Sequence, residues 1–181
     1  MTESNEQLVD ELLVMECQDG SAKALELLVS RWQKRLWQYA YRLTGSTEAA
    51  WEVTQESWLG VVRGISRLHD PARFRPWVYR IVTRKADDWI ARSAKARRRH
   101  AEAVPEEPEL GPPHDREVAA DLQNVMNRLP ETGRTVLTLY YLEGLPIAEI
   151  ARVLRLPEGT VKSRLHTARS ELKALWVQAS E

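Results

Sequence analysis

Four side chains recur at three- and four-residue spacing in "PEGTVKSRLHTARSEL": Thr160, Ser163, Arg164 and Thr167. Lys162, His166 and Arg169 follow on the adjoining line, while Val161, Leu165, Ala168, Leu172 and Leu175 take the opposite side of the same predicted helix. Short hydroxyls let a helix come close to base edges, and an arginine bonds guanine through two parallel hydrogen bonds, worth about 1–3 kcal/mol of discrimination. Flanking cations suit phosphates, which fix position rather than sequence. His166 reads as a phosphate neighbour or a plain surface residue. The rival reading is an amphipathic helix with a solvated basic face. The preceding residues weigh against it. "PIAEIARVL", the short joint "RLP" and this helix make a helix-turn-helix pattern, with Ile147, Ile150, Ala151 and Leu154 turned inward.

A second group lies in "RFRPWVYRIVTRKADDWIARSAKARRR", Arg73 to Arg99, where Phe74, Trp77, Tyr79 and Trp89 are interleaved with Arg73, Arg75, Arg80, Arg84, Lys85 and Arg92. Aromatic faces stack on unpaired bases while neighbouring cations follow the backbone, which is the chemistry of single-strand capture. Trp77 and Trp89 at helical spacing fit a core better than a base-stacking surface. Phe74, adjoining the loop that starts near Leu68, is expected to be the more accessible ring. A third group, Glu52, Gln55 and Glu56 beside Trp58, is acidic and amide-rich. It suits a solvated helix face or a protein partner, never DNA. Catalytic patterns do not emerge. His69, His100, His114, His166 and the single Cys17 have no ligand spacing, and there is no glycine-rich phosphate loop or triad, so the reading is a non-enzyme with no metal and no cofactor.

The elements that must hold these groups are helices, because apolar residues recur at three and four and no alternating run persists. The expected first helix runs from about Gln7 to Cys17. Ser21 caps a second that reaches Leu43, with Gly45 past its end and Leu25, Leu28, Trp32, Leu36, Tyr39 and Leu43 facing inward. A third spans Thr47 to about Arg67, with Val53, Trp58, Val61 and Ile65 inward. A fourth carries Pro76 in its first turn and reaches the mid-90s. Four shorter helices follow, near 117–129, 131–142, 146–154 and 158–177. Between Ala101 and Glu117, four prolines, a glycine and mostly acidic residues describe a flexible linker.

The fold class expected is therefore all-α: two small helical domains, 1–100 and 118–181, on an acidic tether, 101–117. Lys plus Arg and Asp plus Glu balance at 26 each, but residues 73–99 hold ten bases against two acids, so a basic face can meet a polyanion at zero net charge. The polar start "MTESNEQ" lacks a signal-peptide pattern, and the longest uncharged run is the eight residues Thr135 to Leu142. With one cysteine, these features lead us to expect a cytoplasmic protein with no membrane insertion.

From about residue 8 to 177 the chain resembles the small extracytoplasmic-function (ECF) group of bacterial RNA polymerase sigma factors. "ALELLVSRWQKRLWQYAYRLTG" is similar to that family's first conserved stretch, and "EVTQESWLGVVRGISRL" to the segment that docks on the clamp helices of the largest subunits of core RNA polymerase. "FRPWVYRIVTRKADDWI" resembles the segment that melts and reads the −10 element. "LPETGRTVLTLYYLEGLPIAEIARVL" with "PEGTVKSRLHTARSEL" resembles the −35 reading lobe. The resemblance implies transcription initiation at specific promoter DNA. It assigns Thr160, Lys162, Ser163, Arg164, His166, Thr167 and Arg169 to the −35 duplex. Leu68, Arg73, Phe74, Trp77, Arg80, Arg84, Lys85 and Arg92 go to the −10 element, and Glu52, Gln55, Glu56 and Trp58 to polymerase. The linker is implied to lie in a polymerase channel, and both DNA-facing surfaces are targets for an anti-sigma protein.

Three positions depart from the family pattern. Glu52 stands where aspartate is common, Arg84 where asparagine is common, and Arg155 where the joint often has glycine. Two other readings stay open at this level: an autonomous helix-turn-helix regulator that needs no polymerase, and a protein-interaction module with degenerate DNA surfaces.

Overall fold

The computed structural model describes residues 3–99 and 122–179, and every regular element among them is helical. The first lobe contains α1 (Glu3–Gln18), α2 (Ala22–Thr44), α3 (Thr47–Gly64) and α4 (Phe74–Arg99), with single 3₁₀ turns at Ile65–Arg67 and Pro71–Arg73 between the last two. The second contains α5 (122–128), α6 (Glu131–Leu137), α7 (Ile147–Leu154) and α8 (Glu158–Ala179). A wider, π-helical turn at Thr138–Leu142 extends α6. The tether at 101–117 falls outside the described residues.

Local chemistry sets these boundaries. Ser21 Oγ accepts from the Ala24 N–H at 3.2 Å, and Gly45, left-handed at φ 70°, closes α2 where a side chain would be strained. Ser46 caps α3 in the same way through Ala49. The α3 helix stops at Gly64, a turn earlier than the periodicity predicts, because the chain tightens there. Gln18 Nε2 donates to the carbonyls of Ile65 and Leu68, at 2.9 and 2.7 Å, which ties the end of α1 to that turn.

The expected stripe of α2 points inward as Leu28, Trp32, Leu36, Tyr39 and Leu43, all buried, with Leu25 half-buried at the edge. Trp32 meets Phe74 edge-on at 5.4 Å and Tyr79 at 6.0 Å, and Tyr39 meets Tyr79 at 5.0 Å. Each such pair adds about 0.5–1.5 kcal/mol beyond simple burial and fixes the rings in orientation. Tyr39 and Thr83 share a buried hydroxyl–hydroxyl bond of 2.7 Å.

In the second lobe α6 packs on α8 so closely that a Cβ at Gly133 would sit 3.2 Å from that of Ala168. Val161, Leu165 and Ala168 are buried there, as the pattern of α8 predicts, and Leu172 and Leu175 are partly covered. On α7, Ile150 is buried while Ile147, Ala151 and Leu154 are half-buried. Val153, outside the expected stripe, is buried as well. The reason is a second neighbour: α7 packs against α4 of the first lobe as well as against α8. One apolar core therefore runs through both lobes, from Val14 and Leu28 to Leu139 and Val161.

Polar contacts join the lobes too. Glu143, buried beneath α2 and α4, receives Arg35 at 3.3 Å, Arg42 at 2.8 Å and the Tyr79 hydroxyl. Arg134 donates to the Leu43 carbonyl at 2.9 Å. Asp87 on α4 meets Glu131 at the start of α6. Partial burial, then the hydrogen bond and charge of Glu131, then the charge of Asp88 push its carboxyl up to about 7.

Two expectations follow. Arg155 closes α7 at φ 54°, the one positive φ outside glycine among the described residues. A left-handed angle costs an ordinary side chain about 1–2 kcal/mol, part of which glycine returns as chain entropy. Arg155→Gly should therefore raise the unfolding free energy by roughly 0.5–1 kcal/mol, read as a higher midpoint in urea titration. An unfolded aspartate titrates near 3.9, so between about 4 and 7 the folded chain keeps a proton on Asp87 that the unfolded chain has released, and stability falls as pH rises. The melting temperature should drop between about pH 5 and about pH 8, and the drop should shrink in Asp87→Asn.

Candidate nucleic-acid interface

Because the inner side of α8 is committed to α6 and α7, its other side is left as a ridge. Lys162, Ser163, His166, Thr167 and Arg169 are exposed, and Thr160 and Arg164 are half-buried at its base. The Ser163 hydroxyl donates to the Thr160 carbonyl at 3.0 Å, which folds it close to the backbone and keeps the ridge low. The Arg169 guanidinium lies 5.5 and 5.4 Å from the ring centres of Tyr140 and Tyr141, so it is steered sideways over the lobe's own aromatic pair. A low, hydroxyl-rich crest with Lys162 and Arg164 beside it has the shape and charge to enter a major groove.

The first lobe presents a more mixed surface. Arg73 is exposed and paired with Asp70 at 2.9 Å, and Leu68 is half-buried above the core. Arg84 and Arg92 are exposed, and Arg80 and Trp77 half-buried. Trp77 packs closely on α3 at Gly64, where a Cβ would sit 3.0 Å from its ring. Phe74 corrects the expectation. It is 1% exposed and locked edge-on against Trp32, so it anchors α4 and offers no ring to a base.

Trp58, expected both on the inward stripe of α3 and in the polymerase patch, takes the inward place, which corrects the second expectation. It is buried, with its indole N–H donating to Gln33 at 2.6 Å, and belongs to the α2–α3 core instead of a docking patch. Glu52 and Glu56 stay at the surface but face α4. Lys85 Nζ is 2.8 Å from Glu56, Arg92 is 3.0 Å from Glu52 and 3.8 Å from Glu56, and the Trp89 indole N–H donates to Glu52 at 3.0 Å. The Lys85 ammonium holds the Glu56 carboxyl below the ordinary glutamate range. Two acids assigned to polymerase and two cations assigned to DNA thus meet along one seam. Each half-exposed pair is worth only about 0.2–1 kcal/mol.

What the sequence reading missed lies on the outer side of α3. Trp51, Leu59 and Val62 are 47%, 55% and 52% exposed, and with the exposed Gln55 they form one line at spacings of four, four and three. Trp37 and Tyr41 of α2 stack at 5.5 Å beside this line, with Trp51 5.7 Å from Trp37. An apolar strip at helical spacing on an outer surface is the ordinary mark of a protein contact. The signal was present in the sequence as a second apolar stripe, opposite Val53, Trp58 and Val61.

Comparison with known proteins gives the same division. The Sigma-70 region 2 family matches residues 28–96, and the Sigma-70 region 4 family matches 119–172. The ECF RNA polymerase sigma-E factor of Haemophilus influenzae is 31% identical, over 93% of this chain and 95% of its own length. The chain belongs to the ECF sigma factors. The RNA polymerase sigma-H factor of Pseudomonas aeruginosa is 32% identical over 92% of this chain. A longer relative, the ECF RNA polymerase sigma factor SigE of Mycolicibacterium smegmatis, is 34% identical, and the match spans 59% of its length. Among solved structures, CnrH in complex with the cytosolic domain of CnrY shares the fold at a TM-score of 0.70, with 24% identity over 96% of this chain. The sigma factor RpoE of Bartonella quintana, in complex with the anti-sigma factor NepR, does so at 0.75, with 17% identity over 85% of this chain.

The corrected roles in this ECF sigma factor can be checked by stability. Phe74→Ala should cost about 3–5 kcal/mol in urea unfolding, as a large core ring does. Arg84→Ala, on the same helix but exposed, should stay within about 0.5 kcal/mol of the parent.

Proposed function

We propose that the chain brings core RNA polymerase to promoters by reading the −35 duplex with α8 and holding the opened −10 element on its first lobe, and that it performs no chemistry of its own. The observation that carries this is the outward ridge of Ser163 and Thr167, with Arg164 half-buried at its base, on a helix-turn-helix that buries Ile150, Val153, Val161, Leu165 and Ala168 on its inner faces. Arg164 and Lys162 would meet the duplex, the arginine on a base edge and the lysine on phosphate. In the first lobe Leu68, Arg73, Trp77, Arg80 and Arg84 form the surface for the unpaired strand. Unstacking a base costs a few kcal/mol, which capture of the flipped base offsets.

Polymerase is met by the outer strip of α3, Gln55 with Trp51, Leu59 and Val62, and by Glu52 and Glu56 at its edge. Apolar residues there supply the desolvated centre of the contact and the charged residues its rim. The two solved folds in complex with CnrY and with the anti-sigma factor NepR support a further protein partner of that kind for this chain.

Two measurements test the reading. Arg164→Ala should weaken binding of the holoenzyme to its −35 sequence by roughly tenfold and relax preference at one base pair, read by competition with single-base variants. An equal loss on every sequence would move Arg164 to a phosphate role. Leu59→Ala with Gln55→Ala should lower affinity for core polymerase by at least roughly tenfold while the melting curve stays put, since both side chains are exposed. Retained affinity would remove α3 from the docking surface.

A further inference from the structure

Glu143 belongs to neither DNA-facing surface, yet the first lobe is built around it. Its side chain is 2% exposed, and the partners of its carboxylate, Arg35, Arg42 and Tyr79, lie across the lobe boundary. Arg35 Nε stands at 3.3 Å and Arg42 Nη1 at 2.8 Å, and the buried Tyr79 hydroxyl donates to the same carboxylate. The Glu143 carbonyl accepts from Arg35 Nη2 at 3.3 Å and from Arg75. Gly144, left-handed at φ 65°, reverses the chain immediately afterwards and so leaves the carboxylate pointing into the first lobe. Leu145, the next residue, is buried in the shared core.

The closed arrangement conflicts with the span the function requires. Elements centred near −35 and −10 are about 25 base pairs apart, which is about 85 Å at 3.4 Å per pair. A compact chain of this length has a radius of gyration of about 16 Å, so it is about 40 Å across. With α7 packed on α4 and Glu143 seated among Arg35, Arg42 and Tyr79, one molecule cannot hold both elements.

We propose that Glu143 is a built-in latch: its insertion between α2 and α4 keeps the free chain closed, and engagement of polymerase and promoter requires its withdrawal. The latch rests on the promoter reading for its consequence, though not for its mechanics. Removing a buried carboxylate from two guanidinium partners and a phenol is costly as long as they stay enclosed. Opening hydrates the carboxylate and both guanidiniums at once, so the energy that closes the lobes is recoverable and the contact can act as a switch. A closed fraction also lowers the apparent affinity for any partner that needs the open form, in proportion to the open fraction.

The test uses the full chain. Glu143→Gln keeps the size of the side chain and an acceptor for Tyr79 but leaves the arginines without a counter-charge. Arg42→Gln weakens the same site from the opposite lobe, at a residue only partly enclosed. By small-angle X-ray scattering both variants should show a radius of gyration larger than the parent's by roughly 3 Å or more, with the helical circular-dichroism signal retained. Affinity for core polymerase should rise at least about threefold in both. Unchanged dimensions in both variants overturn the latch. Expansion with unchanged polymerase affinity overturns its inhibitory role. Expansion of the variants, when neither they nor the parent binds polymerase, leaves the latch standing and removes the promoter reading instead.

Discussion

A carboxylate enclosed by protein must be matched charge for charge, and that requirement on Glu143 organises much of the molecule. Desolvating an ion costs several kcal/mol, and only good geometry with additional hydrogen bonds offsets it. The geometry here draws on separate elements. Arg35 and Arg42 stand seven residues apart, on one side of α2, and Tyr79 comes from α4. Their relative placement is set by the aromatic core beneath them, where Trp32 meets Phe74 and Tyr79 edge-on. The same Trp32 lies under the Arg35 guanidinium at 5.3 Å and helps to hold it over the site. Burial raises the Tyr79 phenol well above its ordinary range, and the neighbouring Glu143 charge adds to the effect, so Tyr79 serves as a permanent donor. The apolar packing of the first lobe and the polar joint between the lobes are thus one construction.

On the other side of the joint the backbone is shaped to deliver that carboxylate. The helix begun by α6 widens over Thr138–Leu142 and ends in the Glu143–Gly144 turn, and Pro146 then starts α7. A wider turn changes the direction in which the last residues face, and a left-handed glycine reverses the strand of chain without steric cost. The α7 helix is thereby laid against α4. That contact explains why Val153, apparently on the wrong side of a two-helix motif, is buried.

Features governed by neighbours along the chain were legible in the sequence. Ser21 and Gly45 mark real helix ends, the α2 stripe from Leu28 to Leu43 is the core, and the outward line of α8 remains outward. Features governed by distant neighbours were not. Periodicity shows that Phe74 and Trp58 have sides, but not which element covers them, and both prove to be covered by α2. Composition counts Lys85 and Arg92 as basic surface, whereas Glu52 and Glu56 from another helix neutralise much of that charge. Glu143 pairs with residues 101 and 108 positions away, a separation at which no local motif carries information. Its one sequence trace is an acid followed by a glycine in "YYLEGL", which reads as an ordinary turn.

The ion pairs along α3 and α4 also sharpen the chemistry left to the proposed −10 surface. With Lys85 and Arg92 held by Glu56 and Glu52, and Arg73 by Asp70, Arg84 is the exposed cation in the middle of α4. Asparagine, common in the family at that place, offers one donor and one acceptor on the same amide and so matches the edge of adenine. Arginine offers five donors and no acceptor. At a base edge it matches paired acceptors, as guanine presents, and along the strand it matches phosphate. Under the proposed −10 role, a chain with arginine at 84 would not select a base by the amide's rule. Selectivity at that point would then come from guanine-type acceptors or pass to Trp77 and the loop before it.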